Sequence, residues 1–211
     1  MTRLTELGIK HNTDKAYSHH FTDFYDLHLR NLMFPNLLEI GVLDGGSLRM
    51  WKEYFGPGLV VGMDQDDKSG LALGEITTCI GNQENPSDLL KCLAYADAYD
   101  VIVDDGGHTR KQQLTTLATL FPVLKPGGFY ILEDLHASFN PHPLYTSVPG
   151  ELSPYEVLYK LRDGHRWTSP YFTESQVTYL IENCEYVILW SKEPGKPQDH
   201  CTSIIRKKES K

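Results

Sequence analysis

Asp100-Val-Ile-Val-Asp-Asp-Gly-Gly-His108 runs a short apolar strand directly into two carboxylates, two glycines and a histidine. Phe129-Tyr-Ile-Leu-Glu-Asp134 repeats the pattern and again ends in paired acids. Ligands of an open parallel sheet bind outside the carboxyl ends of its strands. If the two segments are neighbouring strands, Asp105, Glu133 and Asp134 share one crevice with His108. One acid at a strand end is more simply a helix cap or a solvated group. Three acids with a histidine suit a different task, holding a hard divalent cation and moving a proton. Asp105 and His108 are the candidate catalytic residues. Asp105, Glu133 and Asp134 are the candidate metal ligands.

A second constellation lies upstream. Glu39-Ile-Gly-Val-Leu-Asp-Gly-Gly-Ser47 reads as a strand, a glycine-rich turn and a helix start. It departs from the dinucleotide fingerprint, since Asp44 intrudes where a pyrophosphate would be repelled; a cationic ligand tolerates that acid better. Asp64 ends the next strand, where a carboxylate is placed to take both hydroxyls of an adenosine ribose. Asn82 and Gln83 follow a third strand, with amides that either reach an adenine edge or build a turn. The candidate cofactor-binding residues are Glu39, Gly41, Gly45, Ser47, Asp64, Asn82, Gln83 and Asp104.

These groups need a scaffold, and the apolar periodicity predicts one. Strands are expected at 37–42, 59–64, 76–80, 100–105 and 129–133, alternating with helices, which is the grammar of a doubly wound, Rossmann-like parallel sheet. Leu48, Trp51 and Phe55 share one helical face, as do Leu114, Leu117, Phe121 and Leu124. Leu89, Leu90 and Leu93 mark a helix opened by Asn85-Pro-Ser. Ser153-Pro-Tyr-Glu156 and Thr173-Glu-Ser-Gln176 are capping boxes that open two more. Tyr186–Trp190 and Thr202–Ile205 follow without an intervening helix and suit a terminal antiparallel pair. The fold class is therefore α/β, five parallel strands plus a carboxyl-terminal antiparallel pair, in one domain over 1–211. Residues 1–35 are expected to form an amino-terminal helical cap, and 136–170 a loop and helix insertion near the site. The stretch 136–150 is rich in proline, histidine and aromatics, as lids and binding loops often are. His136 and His142 within it, and His19 and His20 upstream, are secondary candidates to line the mouth.

Composition narrows the function. The chain has 211 residues, 40% hydrophobic and 23% charged, with a formal charge of −8. That balance disfavours nucleic acid and anionic membrane as partners. The apolar runs are far shorter than the roughly 18 residues of a membrane span, and the first residues lack the apolar stretch of a secretory signal. The four cysteines, Cys79, Cys92, Cys184 and Cys201, show no C-x-x-C or zinc spacing and read as reduced thiols of a cytoplasmic protein.

Together these residues resemble the class I S-adenosylmethionine-dependent methyltransferases, and more narrowly the magnesium-dependent sugar O-methyltransferases of macrolide biosynthesis and their cephalosporin-methoxylation relatives. The matching segments are Glu39–Val42 with Gly45–Lys52, Gly62–Asp64, Asp100–His108 and Leu120–Asp134, and Thr13-Asp-Lys15 followed by His-His-Phe has the same look. The resemblance implies S-adenosyl-L-methionine and Mg²⁺ as cofactors. It makes Asp105, Glu133 and Asp134 the metal ligands and His108 the general base. The implied acceptor is a hydroxyl of a small molecule, a sugar or polyketide-type product. Against the sugar enzymes the chain is expected to be without their long amino-terminal domain and to have a shorter glycine-rich turn, so the acceptor and any homo-oligomeric assembly stay open. Other readings are a cyclase or hydroxylase on the same fold, action on RNA or protein, and a non-catalytic cofactor-binding module.

Overall fold

The computed structural model describes residues 1–71, 74–142, 144–145 and 150–210. Seven strands form one sheet: β1 (Leu37–Ile40), β2 (Val60–Asp64), β3 (Thr77–Ile80), β4 (Tyr99–Asp104), β5 (Leu124–Leu132), β6 (Cys184–Ser191) and β7 (Cys201–Lys207). Their order is β3-β2-β1-β4-β5-β7-β6. The first five run parallel, and β7 is antiparallel to both β5 and β6. This is the expected doubly wound sheet with its terminal antiparallel pair.

The chain winds outward in opposite directions from β1, so the crevice opens between the carboxyl ends of β1 and β4. Register sets what meets there. Ile40 pairs with both Met63 and Asp104, and Asp104 pairs with Leu132. One residue further on, Gly41, Asp64, Asp105 and Glu133 therefore stand level across four strands.

Helices cover both faces. On one lie α1 (Arg3–Lys10), α2 (Asp14–Tyr17), α3 (Thr22–Leu29) and α4 (Gly46–Phe55), packed on Leu37, Val101, Val103, Phe129 and Ile131. Leu48, Trp51 and Phe55 point into this layer as their spacing predicts, and Trp51 is wholly buried. On the other face α6 (Arg110–Leu120), α7 (Pro154–Arg162) and α8 (Glu174–Asn183) pack on Leu38, Ile102, Tyr130 and Leu132. The capping boxes at Ser153 and Thr173 form as predicted, and Thr109 with Gln112 adds a third at the head of α6.

Two local expectations fail. Leu124 belongs not to the α6 stripe but to β5, where it pairs with Tyr99; the Lys125-Pro-Gly-Gly128 segment lies inside the strand, with a register shift opposite. The helix after Asn85 is a single turn, α5 (Pro86–Leu89), which tightens into a 3₁₀ turn at Leu90–Ala94. The tighter winding turns Leu90 and Leu93 outward, at 41% and 38% exposure, and buries Cys92 instead. All four cysteines are free, and burial pushes the thiols up, to about 11 at Cys79 and about 12 at the other three.

Candidate active site

A cavity of about 460 Å³ opens at the carboxyl end of the sheet. Its walls include Gly41, Ser47, Asp64, Asn82 and Gln83 from the ends of β1, β2 and β3 and the turn and helix start after β1, and Asp105, His108 and Asp134 from the segments after β4 and β5. Both constellations of the sequence therefore share one space.

Asp64 organises the glycine-rich end. Its carboxylate accepts hydrogen bonds from the backbone N–H of Val42 at 2.9 Å and of Asp66 at 3.0 Å. Gly41 sits at φ +91°, and a Cβ there would overlap the Asp105 carbonyl. The loops after β1 and β4 touch backbone to backbone, which only glycine allows. Gly41→Ala is expected to cost about 3 kcal/mol or more, combining overlap with a positive φ. Denaturant unfolding checks it, and a loss below about 1 kcal/mol would contradict so tight a contact.

Three predicted cofactor residues lie off the wall. Glu39 is fully buried, accepts from Ser47 Oγ at 2.8 Å and is pushed up to about 7, chiefly by burial against the opposing pull of Lys15. Asp104 is also fully buried and, through burial, well above the usual carboxylate range. It takes the Gln83 amide at 2.5 Å, while the Gln83 oxygen accepts from Gly107 N–H at 2.9 Å. Gly45, at φ +79°, caps α4. These three hold the wall residues from behind.

At the other end, ligand atoms of Asp105, His108 and Asp134 lie within 4.8 Å of one another, the one such group among the described residues. His108 Nε2 is 3.2 Å from Asp134 Oδ2. Both residues have left-handed backbone, at φ +58° and +53°. Non-glycine residues held this way cluster at functional sites. The buried Asp134 Oδ1 and His108 Nδ1 have no hydrogen-bond partner.

Glu133 stands apart from that group. Strand side chains alternate between faces, so Glu39, Asp105 and Glu133 point with Val103 and Ile131 toward the amino-terminal helices. There they meet a residue that sequence reasoning left as part of a familiar-looking stretch. Lys15 of α2 is 1% exposed and pairs with Asp105, with Glu133 Oε1 at 3.0 Å and with Glu39 Oε1 at 3.3 Å. Burial alone would lower the Lys15 pKa, but the three acids raise it well above the ordinary value. Burial pushes the carboxyl of Asp105 up, and that of Glu133 well up, against the pull of Lys15. A Lys at the second position of a four-residue amino-terminal helix carries no local signal of burial; only the unpaired acids opposite could have asked for one.

Of the secondary candidates, His19 and His136 do approach Asp134 Oδ1, through Nδ1 at 3.8 and 3.7 Å. His19 is raised despite burial, through Asp14 and the charge of Asp134, whereas burial lowers His136. His20 and His142 are exposed and off the wall. Of the expected lid stretch 136–150, residues 143 and 146–149 lie outside the described residues.

No family model matches the chain. Individual relatives do. Demethylmacrocin O-methyltransferase of Streptomyces fradiae is 39% identical over 158 residues, covering 70% of this chain and 40% of that protein. Mycinamicin VI 2''-O-methyltransferase of Micromonospora griseorubida is 36% identical over 148 residues, 65% of this chain and 37% of the other. The solved MycE methyltransferase from the mycinamycin biosynthetic pathway, in complex with Mg and SAH, superposes with a TM-score of 0.80 at 29% identity, over 99% of this chain and 55% of that one. This chain is similar in sequence to these O-methyltransferases and in structure to the MycE methyltransferase. Its fold is that of the class I S-adenosylmethionine-dependent methyltransferases. An O-methyltransferase from Bacillus cereus, at 13% identity and a TM-score of 0.54, shares the fold alone. The chain spans about 40% of the length of the first of these relatives and 55% of the MycE chain.

Proposed function

We propose that the chain is an S-adenosylmethionine- and Mg²⁺-dependent O-methyltransferase acting on a hydroxyl of a small molecule, a sugar or polyketide-type product. The observation that carries this is the shared cavity, with a glycine-rich, Asp64-anchored end and an Asp105–His108–Asp134 end. Its size is in the range of small-molecule sites. The relatives named demethylmacrocin and mycinamicin VI O-methyltransferase, and MycE bound to Mg and SAH, point the same way.

The donors fit a hard cation. Asp105 and Asp134 offer carboxylate oxygens beside the cavity, and the partnerless Asp134 Oδ1 is an orphaned buried acceptor. Glu133, at the same level of the sheet, is the third acid of the set and is shared with Lys15. A bound magnesium ion supplies Lewis acidity that makes an acceptor hydroxyl easier to deprotonate. The chain does the rest. Asp64 takes the ribose hydroxyls, and the turn after Gly41 lets the ligand lie close to the backbone. Ser47, Asn82 and Gln83 flank it, backed by Glu39, Gly45 and Asp104. His108 removes the acceptor proton, and Asp134 at 3.2 Å steadies the resulting imidazolium. S-adenosylmethionine, when bound, would supply the methyl group for the acceptor oxygen, and His108 keeps the proton that this oxygen gives up.

No helix among the described residues is long and apolar enough to cross a membrane. With unpaired cysteines and an acidic surface, this supports a cytoplasmic protein whose partner is a small molecule rather than nucleic acid or membrane. Asp64→Ala is expected to weaken S-adenosylmethionine binding by about 1.5–3 kcal/mol, the scale for hydrogen bonds to a charged group. Calorimetry measures it, and unchanged affinity would move the adenosine site elsewhere. Product mass over a panel of glycosides and polyketide alcohols tests the reaction. A gain of one CH₂ supports methyl transfer, and turnover without that gain points to other chemistry on this fold.

A further inference from the structure

Lysine is seldom fully buried unless it is paired, and Lys15 has three acidic partners from three strands. Glu39 lies within β1, Asp105 follows β4 and Glu133 follows β5. Glu39 and Glu133 are 0% and 2% exposed in their side chains, so neither reaches solvent. Asp105 is different. Its carboxylate touches Lys15 from within, is 24% exposed, and belongs with Asp134 to the group on the cavity wall. One carboxylate thus faces a cation supplied by the chain on one side and the proposed cation site on the other.

We infer that Lys15 is a positioning residue that sets the strength of divalent-cation binding: its ammonium, lodged among Glu39, Asp105 and Glu133, competes for the Asp105 carboxylate and weakens the site. This rests on the reading of Asp105 and Asp134 as cation ligands. The physics is Coulombic. A fixed positive charge sharing a ligand with a dication repels it at short range in a poorly screened interior. Glu39 shields that repulsion without touching the cavity, since it draws on the same ammonium. A lysine that merely anchored α2 to the sheet would affect stability and leave affinity among folded molecules unchanged or lower.

The test is Mn²⁺ binding to the full chain, followed by electron paramagnetic resonance and calorimetry at pH 8 without cofactor or acceptor. Wild type is expected to bind one Mn²⁺, and Asp134→Asn to lose it. Lys15→Met is expected to melt at a lower temperature without metal, yet to bind Mn²⁺ about tenfold or more tightly. Mn²⁺ should then raise its melting temperature more than it raises that of wild type. Glu39→Gln, which leaves the ammonium less shielded, is expected to weaken binding about threefold or more. A folded Lys15→Met with unchanged or weaker affinity overturns the role of Lys15 alone. If that variant does not fold, Glu39→Gln decides, and unchanged affinity there overturns it. Wild type that binds no Mn²⁺, or binds it as Asp134→Asn does, overturns the cation site and this inference with it.

Discussion

Asp134→Asn is expected to reduce methyl transfer by about 10³-fold or more, the effect of losing several kcal/mol of cation-derived stabilisation. The same loss should follow from excess EDTA on the wild type, with recovery on adding Mg²⁺ that the variant does not share. Asp134 is the cleanest ligand to remove. Unlike Asp105 and Glu133 it makes no ion pair with Lys15, so its substitution leaves the buried charge cluster intact. S-adenosylmethionine affinity should survive both treatments, because Asp64 ends β2 whereas Asp134 follows β5, three strands away in the sheet. Full turnover in excess chelator, with Asp134→Asn unimpaired, would sink the metal-dependent mechanism and return these acids to capping and solvation.

His108 separates from the metal ligands by its role. Its replacement should lower kcat by about 10²–10⁴, the usual worth of a positioned general base, with cofactor affinity unchanged. Backbone conformation chooses the variant. At φ +58° His108 occupies a region that asparagine tolerates better than alanine. His108→Asn therefore removes the base with little added strain, and its melting temperature should stay near that of wild type. A variant that keeps most of its kcat would give proton removal to another group; His19 and His136, both close to Asp134, are the nearest alternatives.

Much of this site was legible from local pattern. Apolar runs that end in acids marked the carboxyl edge of the sheet, and the switch from period 2 to helical spacing marked a doubly wound fold. Asp64, Asp105, His108 and Asp134 all emerged from such junctions and all line one cavity. Leu124 was misplaced because an apolar residue at helical spacing looks the same whether it closes a helix or opens a strand; pairing with Tyr99 decided it. Leu90 and Leu93 were misplaced because period alone does not say where an α-helix tightens to a 3₁₀ turn.

What the sequence determined by itself was the set of strand ends, and hence which carboxylates could meet. Tertiary structure decided which way each one faces and what meets it. Glu133 and Asp134 are adjacent in the chain, yet strand alternation sends Glu133 toward the amino-terminal helices. A left-handed turn then brings Asp134 to the cavity. Lys15 reaches Asp105 across 90 residues of sequence. No periodicity within a dozen residues encodes that contact. It exists because three acids desolvated on one face of the sheet need a counter-charge, and the helices packed on that face supply one.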